Sequence, residues 1–261
     1  MSNSAFPYMT SRVINIGMAD VKADRVTYMG TLGYDIFIPT EMAVYVYQKL
    51  KDVGQQFNIM DGGYYAIDTL RTEKGYRAWA HELKTNITPI ETGCAFTIDW
   101  TKDFIGKSSL LKQKENGVKT KIVSFTLDQS ENLIFLGDEP VFKNGELVGN
   151  VTSVKYGHFI NKWVGLCKLT CGEKVKKITN KWLESGNYEI SVLHQKFEAK
   201  IHLKSPYDPN NIDLEVGNIV KEPSKSSNQE SEEGVKSSEN TKKVKVDLKS
   251  LDDQTEILHK L

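Results

Sequence analysis

The sequence predicts a mixed α+β/α/β region, then a run of short strands, then a disordered charged tail. Three observations carry this. Strand and helix patterns alternate up to about residue 117, strands at sandwich or barrel spacing occupy 118–212, and 213–261 is dominated by Ser, Glu and Lys.

The segment "RVTYMGTLGYDIFIP" reads as two strands, Arg25 to Tyr28 and Tyr34 to Ile38, joined by a loop containing Gly30 and Gly33. In the second strand Asp35 and Phe37 share one face, placing an acid beside an aromatic where a ligand can lie. After Pro39, Thr40 is expected to cap a helix. Its apolar positions Ala43, Val46, Tyr47, Leu50 and Val53 follow helical spacing, and Gly54 is expected to end it. A second helix is expected from about Tyr64 to Lys74, with Gly75 as terminator, and a third stretch from Lys107 to Glu115.

Beyond Asn116-Gly117 the pattern changes to β. In "KIVSFTL" Val123, Phe125 and Leu127 share a face, and "VFKNGELVG" carries an Asn144-Gly145 hairpin turn. "WVGLCKL", "YEISVL" and "KFEAKIHL" complete the set. From Lys221 onward there is almost nothing apolar to offset the entropy of ordering, so disorder is expected.

Composition excludes several classes. Of 261 residues 39% are hydrophobic, enough for a sizeable core, and 34 basic residues balance 34 acidic ones. That balance removes the overall field with which a protein grips a phosphate backbone, so nucleic acid is not an expected partner. No apolar run approaches the roughly 20 residues of a membrane-spanning helix, so no membrane partner is expected. The start of the chain shows no targeting segment. Cys94, Cys167 and Cys171 lack the number and spacing of a disulfide framework or zinc site, and are read as small buried apolar side chains.

The densest cluster of functional residue types is "GYYAIDTLRTEKGYRAWAHEL", Gly63 to Leu83. His81 and Glu82 are adjacent and therefore diverge, which argues against an acid/base pair. Asp68 and Arg71 read as a surface ion pair worth about 0.2–0.5 kcal/mol, and Tyr76 with Trp79 as a core aromatic pair. The chain contains no G-x-G-x-x-G, P-loop, H-E-x-x-H or G-x-S-x-G. No catalytic residue and no metal ligand is assigned.

Taken together, "VTYMGTLGYDIFIPTE", the Gly63–Leu83 cluster, "TPIETG" and "DFIGKSSLLKQK" occur in an order that resembles the folate-binding aminomethyltransferase family of the glycine-cleavage T-protein. "YRAWAHEL", "SAFPYMT" and "SGNYEI…HLKSPYDPNN" are similar to its sarcosine dehydrogenase branch. The resemblance covers about Ser4 to Asn211. It implies a partial folate-binding domain over 1–117 and a small β-barrel domain over 118–212.

The resemblance further implies that Tyr28 and Tyr76 match pterin-site tyrosines and that Asp35 takes the place of the pterin-binding glutamate, one methylene shorter. A carboxylate suits that role because a pterin's amino group and ring N–H form a donor pair that it accepts in bidentate fashion. The helix arginine of the T-protein branch falls on Ile67. Tetrahydrofolate is the implied ligand. FAD is implied only for full-length relatives, whose flavin domain and general-base aspartate precede the stretch matched here. The chain is therefore expected to be a fragment or shortened paralogue, and a flavin domain supplied by another chain is a candidate partner. The expected activity is the folate half of oxidative sarcosine N-demethylation, in the mitochondrial matrix. The alternative is a non-catalytic regulator resembling the regulatory subunit of pyruvate dehydrogenase phosphatase.

Overall fold

The computed structural model describes residues 5–128 and 133–210. The tail expected to be disordered lies outside them. Packing divides the chain into two compact units. The first takes the chain up to Thr27 together with Leu32–Ile59, and the second takes Tyr28–Thr31 and the chain from Met60.

In the first unit β1 (Ser11–Ile16) and β2 (Ala19–Asp24) form an antiparallel hairpin, and β3 (Asp35–Phe37) pairs with β2. Ala19, Val21 and Ala23 alternate with Asp20, Lys22 and Asp24, a period-two pattern that buries the small apolar face. Ile16, Ala19 and Val21 pack with Val46 of helix α1 (Ala43–Gly54), and Ile36 and Leu50 join them.

Two expectations are corrected here. The strand predicted at Arg25–Tyr28 does not form, because Val26 N–H donates to the Asp24 carbonyl at 3.0 Å and this tight turn takes the chain out of the ladder. The real partner of the Asp35 strand is β2, which starts six residues earlier than the expected strand. Thr40 does not cap α1 with its side chain. The helix is entered through a 3-10 turn, Thr40–Met42, in which Met42 N–H bonds the Pro39 carbonyl at 2.9 Å.

In the second unit α2 (Tyr64–Glu73) ends as expected at Gly75, whose φ of +75° is the left-handed conformation glycine adopts without strain. Helix α3 (Pro89–Thr92) is held by a capping box between Thr88 and Glu91, and α4 is Lys107–Asn116. Six strands then close a barrel: β4 (Thr120–Leu127), β5 (Pro140–Lys143), β6 (Glu146–Gly157), β7 (Lys162–Thr170), β8 (Tyr188–Val192) and β9 (Gln195–His202). Their order around the barrel is β4-β7-β6-β5-β8-β9, closed by β4 against β9. A short helix, α5 (Asn180–Glu184), precedes β8. Asn144 and Gly145, with φ of 50° and 82°, make the predicted tight turn between β5 and β6.

Val123, Phe125, Leu127, Val141, Val151, Leu169 and Ile190 fill the interior. In β6 the register shifts between Val151 and Ser153, so Thr152 is an extra, bulged residue. The bulge changes the parity of the strand. Val151 and Val154, three apart, both pack into the core, which turns Ser153 and Lys155 toward α2. The three cysteines are free; Cys167 and Cys171 are buried, but Cys94 is only half-buried.

Candidate functional site

Helix α2 presents Asp68 and Arg71, one turn apart, to the side of β6 that the bulge exposes. Arg71 is 1% exposed, so it is not half of a surface pair. Its Nε donates to Asp68 Oδ1 at 2.8 Å, Nη2 to Ser153 Oγ at 2.9 Å, and Nη1 to Glu82 Oε2 and the Tyr76 carbonyl at 3.2 Å each. Ser153 hands its own proton to Glu82 Oε1 at 2.7 Å, and Lys155 Nζ reaches Asp68 Oδ2 at 3.0 Å. Two cations and two carboxylates thus balance in one cluster, which is what allows the charges to stay buried. Burial pushes the Asp68 carboxyl up, but the hydrogen bonds and charges of Lys155 and Arg71 outweigh it and hold the group below its ordinary value.

The chain after α2 is shaped by the same cluster. Ala78 N–H donates to Glu82 Oε2 at 2.9 Å, and the amides of Glu82 and Leu83 both bond the Ala78 carbonyl. This tight loop turns Glu82 inward and leaves His81 exposed. It also corrects the expectation of a core aromatic pair: Trp79 is 71% exposed, while Tyr76 is half-buried.

Of the three residues assigned by resemblance, Tyr28 and Tyr76 belong to the second unit. Tyr28 is half-exposed and its hydroxyl donates to the Arg77 carbonyl at 3.5 Å. Arg77 is in turn fixed through Nε to the Thr92 carbonyl at 2.9 Å and Nη1 to the Gly75 carbonyl at 2.7 Å. Burial pushes the Tyr28 phenol above its ordinary value, so it is a proton donor at neutral pH. Tyr76 N–H bonds the Arg71 carbonyl at 2.8 Å. Asp35 lies in the first unit, at the start of β3 opposite Asp24. Asp35 and Phe37 are both exposed, while Ile36 between them packs into the core, as the strand alternation predicts.

A cavity of about 160 Å³ in the second unit is lined by His81, Lys84, Glu91, Thr120, Asn150 and Lys168, among others, and none of the three assigned residues borders it. Sequence reading missed the roles of Glu82, Ser153 and Lys155. The lone acid of "AWAHEL" was visible, but no local signal marks the bulge that delivers Ser153.

Residues 1–102 match the GCVT N-terminal domain, and residues 120–208 match the glycine cleavage T-protein C-terminal barrel domain. The chain belongs to the glycine-cleavage T-protein family. It is 33% identical over 215 residues to human mitochondrial sarcosine dehydrogenase, covering 81% of this chain and 23% of that protein. To the mouse mitochondrial pyruvate dehydrogenase phosphatase regulatory subunit it is 32% identical over 214 residues, covering 78% and 24%. This T-protein relative therefore spans about a quarter of the length of either. Its fold is shared with the crystal structure of aminomethyltransferase T of the glycine cleavage system from Bartonella henselae, at a TM-score of 0.62 and 20% identity over 75% of this chain and 51% of that one. The break between the two matched domains brackets Gly117, which ends α4 with φ of +81°.

Proposed function

We propose that this chain is the folate-binding part of a sarcosine-dehydrogenase-like oxidoreductase, the part that takes up a one-carbon unit on tetrahydrofolate. What carries the reading is the match of both T-protein domains in one chain that is also 33% identical to sarcosine dehydrogenase. The local chemistry is compatible with it. Tyr28 offers a half-exposed aromatic face on a fixed hydroxyl anchor, Tyr76 a half-buried ring, and Asp35 an exposed carboxylate able to accept a pterin's paired N–H donors. The Asp68–Arg71–Glu82–Ser153 cluster has a supporting role, holding α2 and the Tyr76 loop against β6. FAD is assigned to the flavin domain of longer relatives, and no residue of this chain is assigned to it. The setting proposed is mitochondrial, as the names of the relatives state for themselves.

A second reading, a non-catalytic regulatory protein, is favoured by the comparable 32% identity to the phosphatase regulatory subunit. Titration calorimetry of the 261-residue chain with tetrahydrofolate separates the two. Saturable binding that is weakened by substitution of Tyr28 supports the folate reading. No heat at millimolar ligand removes it and leaves the regulatory one.

A further inference from the structure

Lys74, the residue that follows α2, is 2% exposed, and its Nζ pairs with the carboxylate of Asp208 beyond the last barrel strand. The same Nζ lies over the Tyr207 ring, 5.6 Å from its centroid, and that ring stacks on Phe159 at 4.7 Å. Ser205 Oγ is 3.3 Å from the Glu73 carbonyl. The segment 205–208 is therefore held across the end of α2. On its other side the lysine meets the loop Tyr28–Thr31. A Cβ built on Gly30, whose φ is +78°, would stand 2.3 Å from Lys74 Cγ and 2.5 Å from Cε, so the methylene stem runs directly against the loop backbone.

We propose that Asp208 and Lys74 form a clamp that fixes the loop Tyr28–Thr31 and thereby positions Tyr28 for its ligand. Asp208 keeps the ammonium buried, and a buried ammonium keeps the stem beneath Gly30. Without the carboxylate the uncompensated charge turns out toward water, because long lysine side chains reach solvent readily. The stem then leaves the loop, and the hydrogen bond from Tyr28 to the Arg77 carbonyl loses its support. Tyr28 would touch the ligand; Lys74 and Asp208 are positioning residues. The ligand consequence rests on the folate reading above, whereas the clamp itself does not.

The test uses the 261-residue chain and two readouts, amide hydrogen exchange over residues 28–31 and calorimetry with tetrahydrofolate. Asp208→Asn and Lys74→Ala are expected to raise exchange in 28–31 selectively, leaving β4 and β7 protected. Asp208→Glu keeps the carboxylate and Lys74→Met keeps an apolar stem that needs no counterion, so both are expected to retain wild-type protection. If Asp208→Asn leaves the loop in its competent form about a tenth of the time, the apparent Kd rises about tenfold. Unchanged exchange at 28–31 in both Asp208→Asn and Lys74→Ala overturns the clamp, as does a rise spread evenly over the barrel. A wild-type chain that does not bind tetrahydrofolate overturns the folate reading instead, and the exchange pattern still decides the clamp.

Discussion

Arg71 and Glu82 form an ion pair within the second unit, Nη1 to Oε2 at 3.2 Å, with side chains 1% and 0% exposed. Eleven positions separate them in sequence, and no regular helix or strand sets their spacing. The pair is closed by a third group, Ser153, which accepts from the arginine and donates to the glutamate. Such a closed set is tolerated in a low-dielectric site because every donor and acceptor is used, and removal of one member leaves the others uncompensated.

Glu82→Ala should therefore destabilise the chain by about 3–5 kcal/mol, the cost of stranding a buried guanidinium. The double variant Arg71→Met/Glu82→Ala should recover part of that loss, since no lone charge remains. Urea unfolding of the three proteins measures it. A single variant within about 0.5 kcal/mol of wild type, the range of an ordinary surface change, would contradict the buried role.

The depressed Asp68 carboxyl sets a pH dependence. Its folded pKa lies below its unfolded value near 3.9, so its contribution is fully present above that value and is lost as pH falls through the folded pKa. Wild type should lose more stability than Asp68→Asn between neutral pH and about pH 3. The side chain is 33% exposed, so the difference should be smaller than for a fully buried pair. Chemical unfolding midpoints across that range are the readout, and parallel curves for the two proteins would remove Asp68 from the account.

Deletion of Thr152 should be tolerated by the barrel, because it removes only the extra residue of the bulge and leaves the pairing on either side in register. With Val151 still opposite Cys167 and Ser153 then directly following it opposite Leu166, plain alternation keeps Ser153 turned toward α2 and Val154 in the core. Ser153→Ala, by contrast, leaves the backbone intact and should cost about 1–3 kcal/mol through the unsatisfied Glu82 and Arg71 atoms. Near-ultraviolet circular dichroism of the deletion should keep the native signature and urea unfolding should show the loss in Ser153→Ala; a deletion without native tertiary signal would contradict the assignment of Thr152 as the extra residue.

If the folate reading holds, Asp35→Asn should weaken tetrahydrofolate binding by about 1.5–3 kcal/mol, the scale of a hydrogen bond to a charged group. Because Asp35 is exposed on β3, the variant should unfold at the wild-type denaturant midpoint. Equal affinities would take the pterin carboxylate away from this position.

Much of the architecture was legible in the sequence. Gly75 ended the helix it was expected to end, Asn144-Gly145 turned the hairpin, and Val123, Phe125 and Leu127 faced one core. Each of these depends on a local rule: backbone freedom at glycine, turn chemistry, or side-chain alternation. The failures were local rules overruled by distant partners. The strand proposed at Arg25–Tyr28 had suitable residues, but its pairing partner lay elsewhere, with β2 already formed from Ala19–Asp24. Trp79 had the spacing of a core aromatic, yet the loop closed around Glu82 and turned the indole outward.

By itself the sequence determined the family, the order of the two domains and the identity of Tyr28, Asp35 and Tyr76 as residues worth testing. Only the tertiary structure decided that Arg71 is a buried node instead of half of a surface pair, and that Lys74 answers to Asp208, 134 residues away. The physical reason is that periodicity reports which face of an element is apolar, whereas the partner of a buried charge is set by strand register, and here by one extra residue in β6.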